Sequence, residues 1–600
     1  MRNADCGLRN KCGLRTGADS QRGTATLKNA VSAVCSALLI LQSIPHSAIR
    51  NPQFRDVAAE AGLDFRHVNG STGEYFLPEI MAPGGALLDY DGDGDLDVFV
   101  VQGGTLDPRK PAAGAAGNRL FRNDSKPGPD GTLVLRFTDV TVQAGLAGAK
   151  GYGMGVAVGD YDNDGYPDLY VTNFGPNVLY HNNRDGTFTD VTKHAGVDDE
   201  RWSASAAFLD YDRDGFLDLV VVNYVDFTVA GNKTCYDAVG ARTYCTPSLY
   251  HAVPPRLFHN NRDGTFSDVT EASGISKAYG RGLGVASADF NGDGWIDIYV
   301  ANDGDPNQLW INKGDGTFED RGVISGTALN PGGLPEGSMG VAVGDFDNDG
   351  DEDIFVTNLT HESHALYVNR GNGDFEDLRV QAALAAPTFP FTGFGTDWFD
   401  YDNDGMLDLF VANGAVTTLE TLRGDPFPFH QRNQLFRNVG NGRFQEIGPE
   451  GEPALALSEV SRGAAFGDID NDGDVDILVT NNNGPVRLLL NQTGSRTHWL
   501  EVRLEGVQDN RAGLGSRVAV LRKGRTPLWR RAHTDGSYLS ASDARVHFGL
   551  GASPDVDAVV VQWPNGYREM WNDVGADRRI TLRQRTGKPV QVIGSLIPNS

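Results

Sequence analysis

Basic residues are in short supply. Lys and Arg number 52 against 79 Asp and Glu, a formal net charge of −27, and no Lys/Arg block offsets the deficit. A chain this acidic repels nucleic-acid phosphates and anionic membrane surfaces, and it attracts cations. Catalytic signatures are missing too: there is no H-E-x-x-H, no G-x-S-x-G and no Walker loop. No segment sustains a 3.6-residue apolar period, which argues against a helical domain. The mostly apolar run at 30–44 has 15 residues, short of the ~20 that a spanning helix needs. What is plentiful is Gly, 75 of 600 residues, and that excess asks for many turns. A hydrophobic share of 40% suffices for a core and excludes general disorder. At ~150 residues per domain the length allows about four domains, several of which one propeller can absorb.

Residues 1–48 read as an export signal that is cleaved, with Lys28, the apolar run and then His46-Ser47-Ala48 as a small-residue cleavage site. The polar lead before Lys28 is long for such a signal, as a misassigned start codon would make it; a short membrane anchor is the alternative. The segment carries six basic and two acidic residues, so the remaining chain would be near −31. Cys6, Cys12 and Cys35 fall within it. Cys235 and Cys245 bracket nine residues without strand pattern. In an exported chain this suggests one disulfide closing a surface loop, with two independent thiols as the alternative.

One nine-residue pattern, D-x-[DN]-x-D-G-x-x-D, occurs seven times. It places Asp89, Asp91, Asp93 and Asp97 in the first loop, then Asp160, Asp162, Asp164 and Asp168, then Asp210, Asp212, Asp214 and Asp218. The fourth loop has Asp289, Asn291, Asp293 and Asp297, and the fifth Asp345, Asp347, Asp349 and Asp353. Asp400, Asp402, Asp404 and Asp408 form the sixth, and Asp468, Asp470, Asp472 and Asp476 the seventh. The intervals vary from 50 to 79 residues, so a constant unit carries loops of different length. Phe-x-Asp or Phe-x-Glu alternates with it at Phe54, Phe137, Phe188, Phe266, Phe318, Phe375 and Phe444. Between them comes an apolar pair followed by Asn, as in LYHNNRDGTF (179–188), LFHNNRDGTF (257–266) and LWINKGDGTF (309–318).

Each unit thus reads as four short strands: a small-residue strand, the Asp loop, a Val/Ile-rich strand, the Leu-x-x-Asn strand, an Asp-Gly hairpin turn and the Phe-x-Asp strand. Four strands per 50–80 residues is the signature of a β-propeller. Phe54 has no unit before it, and the last Asp loop has no Phe-x-Asp after it. The parts balance only if the 54–57 strand completes the last blade, which predicts seven blades closed end to end. The first strands, such as 203–208, 282–288 and 462–467, are crowded with Gly, Ala and Ser, as convergence on an axis requires. The glycines at 153–155 and 280–284 precede no helix or βαβ unit, which argues against a nucleotide loop.

Oxygen side chains at positions 1, 3 and 5 of a curled loop converge, Gly at 6 permits the bend, position 7 offers a carbonyl, and Asp at 9 closes the cage. Hard carboxylate oxygens in a flexible cage suit Ca²⁺ better than the stricter octahedron of Mg²⁺. A cation turns the mutual repulsion of four Asp into stability. Up to seven Ca²⁺ are expected, mainly structural; they would bring the mature chain from about −31 to about −17. Solvated acidic turns that bind nothing are the alternative.

These repeats resemble FG-GAP (VCBS-type) repeats, the Ca²⁺-binding blades of integrin α subunits, over roughly residues 50–495. After Asn491 the Asp loops stop. Residues 498–585 read as a small β domain with strands at 498–504, 517–521 and 556–563, followed by a tail at 586–600. The pieces NRAGLGSRVAVLRKG (510–524), GSYLSASDARVHFGLG (536–551) and VDAVVVQWPNG (556–566) resemble an ASPIC/UnbV domain. The combination is similar to the cartilage acidic protein 1 family. YFLPEIMAPGGALLDYDGDGDLD (75–97) and the Cys235…Cys245-Thr246-Pro247 insertion support that resemblance. Animal members carry a Cys-rich EGF-like module after this domain; no cysteine stands there in this sequence.

The expected class is all-β: a seven-bladed, integrin-α-like propeller with a small C-terminal β domain. The expected function is binding or adhesion toward an extracellular or periplasmic protein or glycan, by a secreted, periplasmic or cell-surface chain with no nucleic-acid partner, no stable membrane span and no catalytic residues. Two rivals stand beside it. One is a polysaccharide-active hydrolase or lyase with its site at the central funnel. The other is a lectin with sites between blades, for which Trp202, Trp295, Trp310 and Trp398 could stack on sugars, although blade packing explains them as well. His361-Glu362-Ser363-His364 could hold a transition metal or be a polar loop.

Overall fold

The computed structural model describes residues 53–590 apart from 108–116, 130–132, 149, 419–427 and 451; the export signal expected at 1–48 lies outside them. Seven four-stranded antiparallel sheets follow one another. In blade 2 the strands are Tyr152–Gly159, Asp168–Phe174, Val178–Asn182 and Phe188–Asp190. Blade 7 takes Ser461–Gly467, Asp476–Asn481 and Arg487–Asn491 from one end of the array and Phe54–Asp56 from the other. Phe54 pairs with Asn491 and Asp56 with Leu489. The two ends of the array therefore share one sheet, in which the Phe54–Asp56 strand covers the edge that Arg487–Asn491 would otherwise expose.

The second and third strands of each blade are buried on both faces and carry the Val, Ile, Leu and aromatic residues of the core between blades. The innermost strands touch in sequence around the axis, from Gly85–Leu88 of blade 1 through to Ser461–Gly467 of blade 7 and back. Among the described residues helix is confined to short turns, such as Thr192–Ala195 and Thr270–Ser273 after the Phe-x-Asp strands. Among the described residues no helix is long and apolar enough to cross a membrane.

The C-terminal domain is a two-sheet sandwich. One sheet holds Val546–Gly551, His498–Glu505 and Arg578–Arg583; the other holds Leu528–Arg531, Arg517–Leu521, Ala558–Gln562, Arg568–Asn572 and Lys588–Pro589. Val502, Val518, Phe548, Val559 and Trp563 fill the space between them. The last strand pairs Glu569 with Pro589, so the domain runs past the expected boundary at 585: a Lys-Pro dipeptide carries no strand signal of its own and is recruited by its neighbour.

The connection between the strands ending at Arg531 and starting at Val546 leaves the sandwich and enters the axis of the propeller. It bonds to the innermost strand of every blade. Ala541 exchanges backbone hydrogen bonds with Gly85 and Leu87 in blade 1, Val156 of blade 2 donates to the Leu539 carbonyl, and Ser205 of blade 3 accepts from the Leu539 N–H. Ser287 of blade 4 donates to Asp535, Val341 of blade 5 pairs with Ser537, and Thr396 of blade 6 donates to the Ser537 hydroxyl. In blade 7 Phe466 receives the Asp543 N–H. This axial plug explains the small residues of the inner strands: a Cβ on Gly155 would lie 2.7 Å from the Leu539 carbonyl oxygen.

Candidate metal centres on the capped face

All seven Asp loops lie between the first and second strands of their blades, and one hydrogen-bond scheme builds them. Position 6 is Gly with positive φ in every loop, and position 4 is also left-handed, whether Gly92 and Gly292 or Asn163, Arg213, Asn348, Asn403 and Asn471. The first Asp accepts the Gly N–H, at 2.8 Å for Asp160 and 2.7 Å for Asp400. The fifth-position Asp accepts the N–H of position 7, at 3.0 Å for Asp164 and 2.8 Å for Asp293. Self-satisfaction of these N–H groups curls the loop and turns its free oxygens inward.

The Asn of the third strand locks the loop from behind. Its N–H donates to the ninth-position Asp in all seven blades, at 2.8 Å for Asn123 to Asp97 and 2.7 Å for Asn438 to Asp408. Its side-chain amide donates twice: to the carbonyl at position 8 of its own loop, and to the carbonyl at position 2 of the preceding loop. Asn182 reaches Tyr90 at 2.8 Å, Asn312 reaches Tyr211 at 2.8 Å, and Asn123 reaches Ile469 of the last blade at 3.1 Å. Seven such clamps run around the rim and join blade 7 to blade 1. The repeated Asn was visible in the sequence; its partner, one blade upstream, was not.

Carboxylate oxygens of Asp89, Asp91 and Asp97 lie within 4.8 Å of one another, as do those of Asp160, Asp162 and Asp164 and of Asp210, Asp212 and Asp218. Asp91 Oδ1, Asp289 Oδ1, Asp353 Oδ2, Asp402 Oδ1 and Asp470 Oδ1 are buried with no hydrogen-bond partner. Burial, reinforced by neighbouring carboxylates, pushes Asp97 up to about 9 and Asp160 and Asp345 up to about 8. Converging, orphaned hard oxygens of this kind fit a divalent cation.

The residue just before the Asn distinguishes the loops. Ile311, Val368 and Leu490 are apolar, whereas His181 Nδ1 sits 3.4 Å from Asp162 and 3.3 Å from Asp168, and His259 Nδ1 sits 3.3 Å from Asp212 and 3.2 Å from Asp218. Arg437 pairs with Asp402 at 2.8 Å and Asp404 at 3.2 Å. A basic side chain thus stands beside the loop carboxylates in blades 2, 3 and 6.

The C-terminal domain covers this face. Residues 53–491 hold 67 acidic and 29 basic groups, whereas 498–590 hold 10 and 15, so the docked surfaces are opposite in sign. Arg579 donates to the Gly94 carbonyl in loop 1, and the Arg511 N–H donates to Asn163 in loop 2. Arg530 donates to Asn348 in loop 5, Gly551 to the Asn403 carbonyl in loop 6, and Arg545 to the Asp468 carbonyl in loop 7.

The opposite mouth of the axis is closed by aromatic packing. Phe76, Met81, Trp202, Tyr224, Phe227 and Phe394 surround Tyr538 at the tip of the plug, whose hydroxyl donates to the Met81 carbonyl at 3.1 Å. Cys235 and Cys245 form a disulfide with Cα atoms 5.3 Å apart. Their hairpin packs on the 74–79 segment, where Tyr244 donates to Glu79 at 3.1 Å. The three segments singled out in sequence, around 75–85, 235–247 and 536–551, therefore meet at one place.

The remaining candidates are not brought together. His364 is buried, accepts the Asn358 N–H at 3.0 Å, and burial lowers it to about 3, whereas His361 is exposed in a left-handed conformation. Trp202, Trp310 and Trp398 are core residues, and the Arg213 guanidinium lies 3.9 Å over the ring of Trp295.

With the geometry in place, comparison with known proteins is informative. The FG-GAP-like repeat profile matches residues 89–171, 160–221, 248–300, 289–356, 345–411 and 428–479, more than half of the sequence. The chain belongs to the FG-GAP-like repeat family. Residues 506–589 match the ASPIC and UnbV profile. Cartilage acidic protein 1 of Homo sapiens is 26% identical over 506 residues, covering 80% of this chain and 69% of that protein. Its Mus musculus counterpart is 27% identical over 504 residues, covering 80% and 70%. Among solved structures, an Agrocybe aegerita lectin is 18% identical, covering 64% of this chain and 94% of its own, with a TM-score of 0.34.

Proposed function

We propose that this FG-GAP-like chain is an exported binding module whose Asp loops hold up to seven Ca²⁺ ions, mainly as structural ties, and whose outer surfaces engage an extracellular or periplasmic protein or glycan. The axial plug carries the reading. It occupies the funnel where a propeller enzyme would place its substrate, bonding to all seven inner strands. The disulfide between Cys235 and Cys245 supports an oxidising compartment.

The loops would hold the cation through the carboxylates at positions 1, 3, 5 and 9, with Asn291 in place of Asp in blade 4. A bound Ca²⁺ supplies charge neutralisation rather than chemistry. The protein's part is to hold each cage rigid through the Asn clamp and to keep arginines of the C-terminal domain over it. Thermal unfolding in Ca²⁺ and in EGTA tests this. Several sites at ~2.7 kcal/mol each when the ion is at a hundredfold excess over its Kd should lower Tm by roughly 10 °C or more on chelation. An unchanged Tm would overturn the assignment.

A further inference from the structure

A cavity of about 460 Å³ opens between the first two Asp loops and the C-terminal domain. Its floor is apolar, formed by Leu87 and Leu88 of blade 1 and Val158 of blade 2, and Leu504 and Leu514 continue that surface on the facing wall. Its volume lies in the range of small-ligand sites. Four guanidiniums line the same wall, but they differ in what they have left to offer. Arg545 is held by Asp543, Glu501 and the Asp468 carbonyl. Arg579 is held by Glu501, Asn471 and the Gly94 carbonyl. Arg503, by contrast, has its nearest carboxylate, Asp89, at 4.0 Å, beyond hydrogen-bond reach, and its side chain is 52% exposed. Arg511 spends Nη2 on Glu505 at 2.8 Å and is 40% exposed. Two of the guanidinium forks that line the cavity thus have donors to spare, whereas the lining carboxylates Glu505 and Asp543 are each already paired with an arginine. Tyr166 lines the cavity between the two loops, packed close to Gly92.

A guanidinium fork matches a carboxylate, an apolar floor with an aromatic beside it matches the face of a sugar ring, and Glu505 and Thr581 at the wall accept hydroxyl protons. We propose that this cavity binds a saccharide of one or two residues bearing a uronic acid, its carboxylate on Arg503 and Arg511. This rests on the reading of the chain as a binding module and names a ligand class for it.

The experiment is isothermal titration calorimetry of the full chain in Ca²⁺ with digalacturonic acid as probe and lactose as a neutral disaccharide of similar size. Digalacturonic acid is expected to bind, and lactose at least tenfold more weakly. Arg503→Ala and Arg511→Ala, both at solvent-exposed side chains, should each weaken binding about tenfold or more, since each removes a charge-assisted bond. Thr581→Trp, at an exposed position lining the cavity, should abolish binding without changing a charge. Equal affinity for lactose, or no heat at about 10 mM digalacturonic acid, weaker than any specific recognition, would overturn the proposal. Binding that persists unchanged in all three variants would also overturn it, while leaving the module reading intact with its site elsewhere. Failure of that reading would instead appear as no protein or glycan captured by the wild-type chain on arrays.

Discussion

The two mouths of this propeller are closed by different physics. On the Asp-loop face a basic domain docks on an acidic rim through guanidinium and backbone hydrogen bonds, over the converging carboxylates of the Asp loops. On the opposite face Phe76, Trp202, Phe227 and Phe394 pack around Tyr538, and a disulfide hairpin lies over them. On the proposed reading the first closure depends on ionic conditions, because bare carboxylates repel one another and are costly to bury. The second depends on apolar burial and is indifferent to cations. The plug threads both, so the C-terminal domain and the propeller are joined as one structural unit rather than two beads on a string.

Removing the element the two faces share should have the largest effect. The double substitution Tyr538→Ala/Leu539→Ala empties two fully buried sites and should cost upwards of about 5 kcal/mol, a large part of a typical folding stability. Denaturant unfolding should then show the C-terminal domain and propeller melting apart; a single unchanged transition would mean the plug is ornamental. Next comes Trp202→Ala on the aromatic face, at about 3–5 kcal/mol. Measured in Ca²⁺ and in EGTA, its cost should be the same, because Trp202 packs in the aromatic cluster away from the Asp loops; a cost that changes with chelation would break the contrast.

Asn438→Ala on the other face removes two buried side-chain donors and leaves the carbonyls of Phe346 and Leu407 unsatisfied, for about 1–3 kcal/mol. This cost should change on chelation, since the lost amide tied together the carbonyls of two neighbouring Asp loops, Phe346 in loop 5 and Leu407 in loop 6. A further contrast concerns pH. Burial lowers His67 and His364 to about 3 in the folded state, against 6.5 in the unfolded chain. Both are neutral in both states above pH 6.5, where stability is complete. As pH falls below 6.5 the unfolded chain takes up protons that the folded one refuses, so each His removes up to ~1.4 kcal/mol per pH unit until about pH 3. His364→Gln should flatten the stability curve between pH 6 and 4 by about one proton, read from urea midpoints; an unaltered slope would place the titration elsewhere.

Much of this architecture is legible in the sequence, because blades are local. Asp-x-Asp-x-Asp-Gly curls through contacts within nine residues, and the Leu-x-x-Asn and Phe-x-Asp strands pair with near neighbours. The unmatched Phe54 even locates the blade-closing pair with Asn491. What resists reading is long-range. The clamp from Asn182 to Tyr90 spans 92 positions, and the bond from Tyr538 to Met81 spans 457. Backbone carbonyls accept both, and a carbonyl leaves no trace in residue identity. The small residues of the inner strands pointed to crowding at the axis, but not to a plug as its cause. His361 and His364, three positions apart in sequence, part company because a left-handed residue turns one outward while the other enters the core.

The most direct test of the cation cages is native mass spectrometry of the chain after dialysis against millimolar Ca²⁺ and exchange into volatile buffer. The expected spectrum is a ladder of Ca²⁺ adducts extending to seven, shortened by one step when Asp345→Ala empties the blade 5 loop. A spectrum with no Ca²⁺ retained, or one unchanged by that substitution, would contradict the account.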